Sequence, residues 1–129
     1  LRKAKELIGL PVLSVDSGKQ AGLVKDLLLD DAWNLHGIVL EAKIWFSSVR
    51  YINWGDIIAC GEDAVTIPSE DAIHTLEVDI HLIALSNGKL RVKGLPVITV
   101  GGDHLGMVED VYFEPNMGRQ IIGYELSEG

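Results

Sequence analysis

The chain has 129 residues, 47% of them hydrophobic and 23% charged, enough for one ordinary domain or two very small ones. Eleven Lys and Arg stand against nineteen Asp and Glu, a formal net charge of -8. That is the wrong sign for a surface that neutralises phosphates, so direct nucleic-acid binding is not expected. The lone Cys60 excludes an intrachain disulfide framework and every multi-cysteine metal motif. No apolar run reaches the roughly 18–20 residues of a membrane span, and the expected location is the cytoplasm.

The opening LRKAKELIG reads as about one helical turn. Residues 12–17 alternate in character with a period of two and form a strand, closed by the turn DSGKQAG. Residues 22–30 alternate less cleanly, with Leu27, Leu28 and Leu29 in succession, which predicts burial on both faces at that strand's end. DDAWNLHG is the next turn and GIVLEAKIWF a third, longer strand. A strand over 49–52, a helical turn or bend over 54–58, the turn CGEDA and a strand over 65–67 stopped by Pro68 follow. Five or six short strands with regular turns describe a small closed or nearly closed β-barrel. Residues 69–90 fit two patterns. Leu76, Val78, Ile80 and Leu82 alternate as in a strand, whereas Ile73, Leu76, Ile80 and Ile83 recur at helical spacing. With Ser69 as a helix N-cap and Asn87-Gly88 as a stop signal, a short helix within 77–86 is the favoured reading.

The chain also repeats itself. Gly9-Leu10-Pro11-Val12 returns as Gly94-Leu95-Pro96-Val97, and Val15 as Val100. Gly22, Val24 and Asp26 return as Gly106, Val108 and Asp110, then Gly37 and Leu40 as Gly123 and Leu126. Blocks of strand and turn recurring at offsets of 85, 84 and 86 residues, with the shifts falling in turns, identify a tandem duplication. These motifs (Gly9, Pro11, Val12, Gly18, Gly22, Val24, Asp26, Gly37, Gly61, Asp63 and Val65) resemble the PRC-barrel family. That is the small β-barrel of the photosynthetic reaction-centre H subunit and of a bacterial ribosome-maturation factor. The resemblance implies an all-β protein with a PRC-type barrel over 1–68, a partly helical linker over 69–90, and an incomplete second copy over 91–129. The equivalent of the strand over 65–67 would lie beyond Gly129. The expectation is therefore that the natural chain continues, and that this chain pairs its open edge with another, as a homo-oligomer or by strand exchange.

Chemistry is sparse. GGDHLG has neither the following Lys nor the helix of a phosphate loop and reads as a hairpin turn. His74, Glu77 and His81 share one face if the linker is helical, a spacing that could hold a divalent metal; a solvated acidic face is the favoured reading. Cys60 lacks a basic sequence neighbour and reads as a small buried hydrophobe. Trp33 follows two aspartates in a turn, where a large ring is unexpected, and Trp45 and Phe46 point to opposite faces of one strand. Trp54 is expected to fill the barrel. The resemblance implies a non-enzymatic binding or adaptor module without cofactor; Trp33 and Trp45 are the candidate contacts for a protein partner, with rings packed in the barrel or capped by the linker as the favoured reading. The alternatives are a metal- or small-ligand-binding regulatory protein using His74, Glu77 and His81, and a ribosome-assembly accessory factor.

Overall fold

The computed structural model describes residues 1–42, 48–76, 81–116 and 118–128. In chain order its strands are β1 (Arg2–Lys3), β2 (Pro11–Ser14), β3 (Gln20–Leu29), β4 (Leu35–Leu40), β5 (Arg50–Asn53) and β6 (Ala59–Cys60). There follow β7 (Val65–Ile67), β8 (Ile73–Thr75), β9 (Ile83–Ala84), β10 (Pro96–Ile98), β11 (His104–Phe113) and β12 (Gly123–Ser127). Single 3₁₀ turns occupy Ala4–Glu6, Trp54–Asp56 and Glu70–Ala72, the last capped by the Ser69 hydroxyl, which accepts from the Asp71 N–H at 3.1 Å. The protein is all-β, as the turn spacing predicted.

The larger sheet runs β6-β7-β2-β3-β4-β5-β8, with β9 paired to the end of β3. Every neighbour pair is antiparallel except β2 and β7, which run parallel. The path ends at β6 and β8, so no ring of strand pairs closes among the described residues. In the smaller sheet β11 carries β12 along one side and β10 and β1 along the other. Leu27, Leu28 and Leu29 are all buried, as three consecutive leucines predicted, and β9 pairs with the edge of β3 at Leu28 and Leu29.

The repeated sequence blocks share irregularities in their strand pairing. The β2–β3 pair has a bulge between Val12 and Leu13, and β10–β11 has one between Val97 and Ile98. The β3–β4 pair has another between Val24 and Asp26, matched in β11–β12 between Val108 and Asp110. Bulges set local twist, so both copies curl alike.

The copies exchange their leading segments. β1, at the start of the first copy, pairs with Tyr112 and Phe113 of the second. β9, which precedes the second copy, pairs with Leu28 and Leu29 of the first, the equivalent positions. A buried carboxylate holds each crossing. Asp26 accepts from the backbone N–H groups of Ser86 and Asn87 and from Asn87 Nδ2, while Asp110 accepts from the backbone N–H of Lys5. Each also accepts from the next residue's N–H, Leu27 or Val111, at 2.8 Å. One continuous core results, from Val12, Ile38 and Ile67 through Val92 to Val111 and Phe113.

Three expected elements differ. The strand expected over 12–17 ends at Ser14, and residues 15–17 form the turn. The third strand stops at Leu40, and Glu41 and Ala42 are exposed; residues 43–46 lie outside those described. Of the helix expected within 77–86, residues 77–80 lie outside those described, and residues 81–86 are not helical. Ile83 and Ala84 form β9, Leu85 donates its N–H to the Leu27 carbonyl at 2.9 Å, and Ser86 binds Asp26. An open strand end and a buried carboxylate both recruit extended backbone, and together they override a weak helical periodicity.

Burial pushes the Asp110 carboxyl above the usual carboxylate range, against the lowering effect of the Val111 and Lys5 N–H groups and the Lys5 charge, while Glu125 adds to the rise. A carboxyl raised by folding binds its proton more tightly in the folded state. Its contribution to stability is therefore fullest below the ordinary value of 3.8 and is lost as pH rises through the raised value. In denaturant titrations, the stability of the wild type relative to Asp110→Asn should fall as pH is taken from below that value to neutrality. A difference independent of pH would contradict it.

Candidate docking face

In the first copy, Val12, Val24, Ile38 and Leu40 line the inner face of β2, β3 and β4 and are buried. Their lid is Ile52 on β5 with Val65 and Ile67 on β7, all fully buried. The same face of the second copy carries Val97, Val108, Tyr124 and Leu126, and no strand pairs with the outer edges of β10 and β12 among the described residues. Where Ile38 and Leu40 are sealed, Tyr124 is 42% and Leu126 37% exposed. The result is an apolar groove of about 300 Å³ between Leu95, Val97, Val108 and Tyr124. Partial burial already raises the Tyr124 hydroxyl above its ordinary range. The opposite side of β12 is polar, with Glu125 paired to Lys3 and, at 3.8 Å, to Lys5.

Trp33 closes one wall of this groove although it belongs to the first copy. It sits between β3 and β4 in a turn built by Asp30, whose side chain accepts from Ala32 N–H at 2.9 Å and Asn34 N–H at 3.0 Å. Its φ of 62° makes it the one non-glycine residue in the left-handed region among those described. A bulky side chain there costs on the order of 1–2 kcal/mol. The ring is nonetheless 44% exposed, so burial does not explain the strain. Strained, exposed aromatics of this kind occur where a surface serves binding.

The other candidates fall elsewhere. Trp45 and Glu77 lie outside the described residues. Trp54 packs edge-on against Phe113 at 5.3 Å between centroids, and its indole N–H donates to the Gly118 carbonyl at 3.3 Å, so it joins the two copies. His74 lies on β8 with its ring 5.7 Å from Tyr51, which in turn is 6.1 Å from His36, an aromatic ladder across three strands. His81 precedes β9 in irregular chain, so the helical face proposed for His74, Glu77 and His81 is not formed at its two described histidines. No group of three His, Cys, Asp or Glu side chains with metal-binding geometry occurs among the described residues. Cys60 does have a basic neighbour that its flanking sequence did not reveal: Arg2 crosses from β1 and donates to the Cys60 and Gly61 carbonyls, both at 3.0 Å. Burial outweighs that charge and pushes the Cys60 thiol up to about 11, which leaves it a poor nucleophile at neutral pH.

Leu95, Val97, Val108 and Tyr124 were not singled out from sequence, although a signal existed. Their repeat partners Val12, Val24 and Ile38 are core residues and Leu10 packs against that core, and the strands that cover those partners have no counterpart on this face among the described residues.

No helix among the described residues is long and apolar enough to cross a membrane. A search among curated proteins returns no match. The model of the PRC-barrel domain family matches residues 1–73 and 91–129. Both the strand topology and that match lead to one assignment: the chain belongs to the PRC-barrel domain family.

Proposed function

We propose that this protein is a non-enzymatic adaptor that docks a protein partner on the apolar face of its second copy. The observation that supports the reading most is the unlidded groove between Leu95, Val97, Val108 and Tyr124, with Trp33 held in a strained conformation at its wall. An apolar face rimmed by polar residues, with aromatic residues at its wall, has the chemistry of a protein interface. It offers little to a charged metabolite.

Affinity capture from cells, with the wild type and with Trp33→Gly and Tyr124→Asp as baits, tests this. Trp33→Gly removes the ring and relieves the positive φ together, so its unfolding free energy should stay within about 1 kcal/mol of the wild type. A stoichiometric protein held by the wild type and lost from both variants is the expected result. A partner retained by both variants would place docking elsewhere, and a loss of several kcal/mol in Trp33→Gly would show the ring to be structural.

A further inference from the structure

We infer that the occupant of this face is an extended aliphatic strand that adds parallel to β10, in the way β7 adds to β2. The inference rests on the docking-face reading and specifies its partner. The molecule holds both versions of one surface, and the covered version shows what covers it. In the first copy β7 lies parallel to β2 with Val12 opposite Val65, Leu13 opposite Thr66 and Ser14 opposite Ile67. Val65 and Ile67 point inward and are fully buried. The hydrogen bonds continue past the strand: Val15 donates its N–H to the Ile67 carbonyl at 2.9 Å, and Asp16 to the Pro68 carbonyl at 3.2 Å.

The second copy repeats every receiving element. Val97 stands where Val12 stands, with the same bulge after it. The N–H groups of Val100 and Gly101, equivalent to those of Val15 and Asp16, have no acceptor among the described residues. The groove beside them is apolar where Val65 and Ile67 sit in the first copy, and no charged side chain lines it among the described residues. An open row of backbone donors beside an apolar trough is the recognition chemistry of strand addition, in which main-chain bonds supply affinity and alternate side chains supply selectivity. The occupant therefore carries β-branched or aliphatic side chains at alternate positions and needs no compensating charge.

The chain supplies its own probe, a peptide of residues 61–69, which contains β7 and lacks Cys60. Titrated into the isotope-labelled full chain, it should give saturable shifts at the amides of residues 97–101 and slow hydrogen exchange at Val100. It should also change Trp33 fluorescence. Peptides carrying Val65→Asp or Ile67→Asp should bind at least about tenfold more weakly, and Gly123→Ala in the protein should leave binding unchanged, because Gly123 lies on the far edge. Absence of saturation at about 1 mM overturns the inference, as do shifts confined to β2. A concentration-dependent dimer abolished by Val97→Asp, with no peptide binding, would show a second copy to be the occupant instead. If the peptide fails while a cellular partner is still lost with Tyr124→Asp, strand addition falls and the docking face stands. If both fail, the face itself falls.

Discussion

Asp26→Ala should lower the unfolding free energy by about 3–5 kcal/mol, the largest loss expected from any single polar side chain here. The Asp26 carboxylate is buried and receives the backbone N–H of Leu27, Ser86 and Asn87 together with the Asn87 amide. Alanine removes every acceptor at once and leaves the buried Leu27 N–H and the part-buried Ser86 and Asn87 N–H groups without it, where an unmet buried donor costs about 1–3 kcal/mol. The damage should be local before it is global. Residues 83–87 lose the anchor that holds β9 on β3, so hydrogen exchange at Leu85, which donates to the Leu27 carbonyl, should accelerate more than at Ile38 in the β4 core. Asp110→Ala makes the comparison. Among the described residues that carboxylate holds its crossing segment only through the Lys5 N–H, at 3.3 Å to each oxygen, so its loss should be clearly the smaller. Denaturant unfolding of the two variants measures both, and equal losses would show that the crossing bonds are not what these carboxylates contribute.

Much of this architecture is legible in the sequence because it is local. The start of the alternation at Val12 and the breaker Pro68 are written within a few residues of where they act, and β2 and β7 form beside them, although β2 already ends at Ser14 and Ser69 caps a single 3₁₀ turn rather than a helix. The repeated blocks are legible because Gly9, Gly22 and Gly37 recur as Gly94, Gly106 and Gly123 at offsets of 84 to 86 residues. What could not be read depends on contacts between distant segments. Residues 83–84 show helical spacing with their neighbours, yet an open end of β3 and the Asp26 carboxylate decide their conformation. Arg2 beside Cys60 joins positions 58 residues apart. The docking face was half visible: Trp33 stood out as a ring misplaced in a turn, but Tyr124 and Val97 look like any barrel strand. They become a surface only because β10 and β12 carry no strand on their outer edges among the described residues.

Gly37 and Gly123 occupy one position of the repeat, and alanine at each should have opposite consequences. A Cβ at Gly37 would lie 2.2 Å from the Ile52 carbonyl oxygen and 3.1 Å from its carbon. Those atoms are backbone of β5, fixed by the pairing of Gly37 with Asn53 and of Ile38 with Ile52. No rotamer change relieves the clash, so β4 and β5 must part, and Gly37→Ala should cost about 3 kcal/mol or more. A Cβ at Gly123 meets only Tyr112 side-chain atoms, the nearest at 3.6 Å, an ordinary contact. Gly123→Ala should therefore be neutral, or stabilising by a few tenths of a kcal/mol, since glycine weakens a strand interior. The same substitution then reports on the partner. If a bound protein covers β12 as β5 covers β4, it brings a backbone carbonyl to the place Ile52 occupies beside Gly37, and Gly123→Ala will fold normally yet fail to capture it. If the partner adds only along β10, capture will survive. A Gly123→Ala protein that is as destabilised as Gly37→Ala would instead mean that β12 is already covered in the isolated protein, and the open face would have to be abandoned.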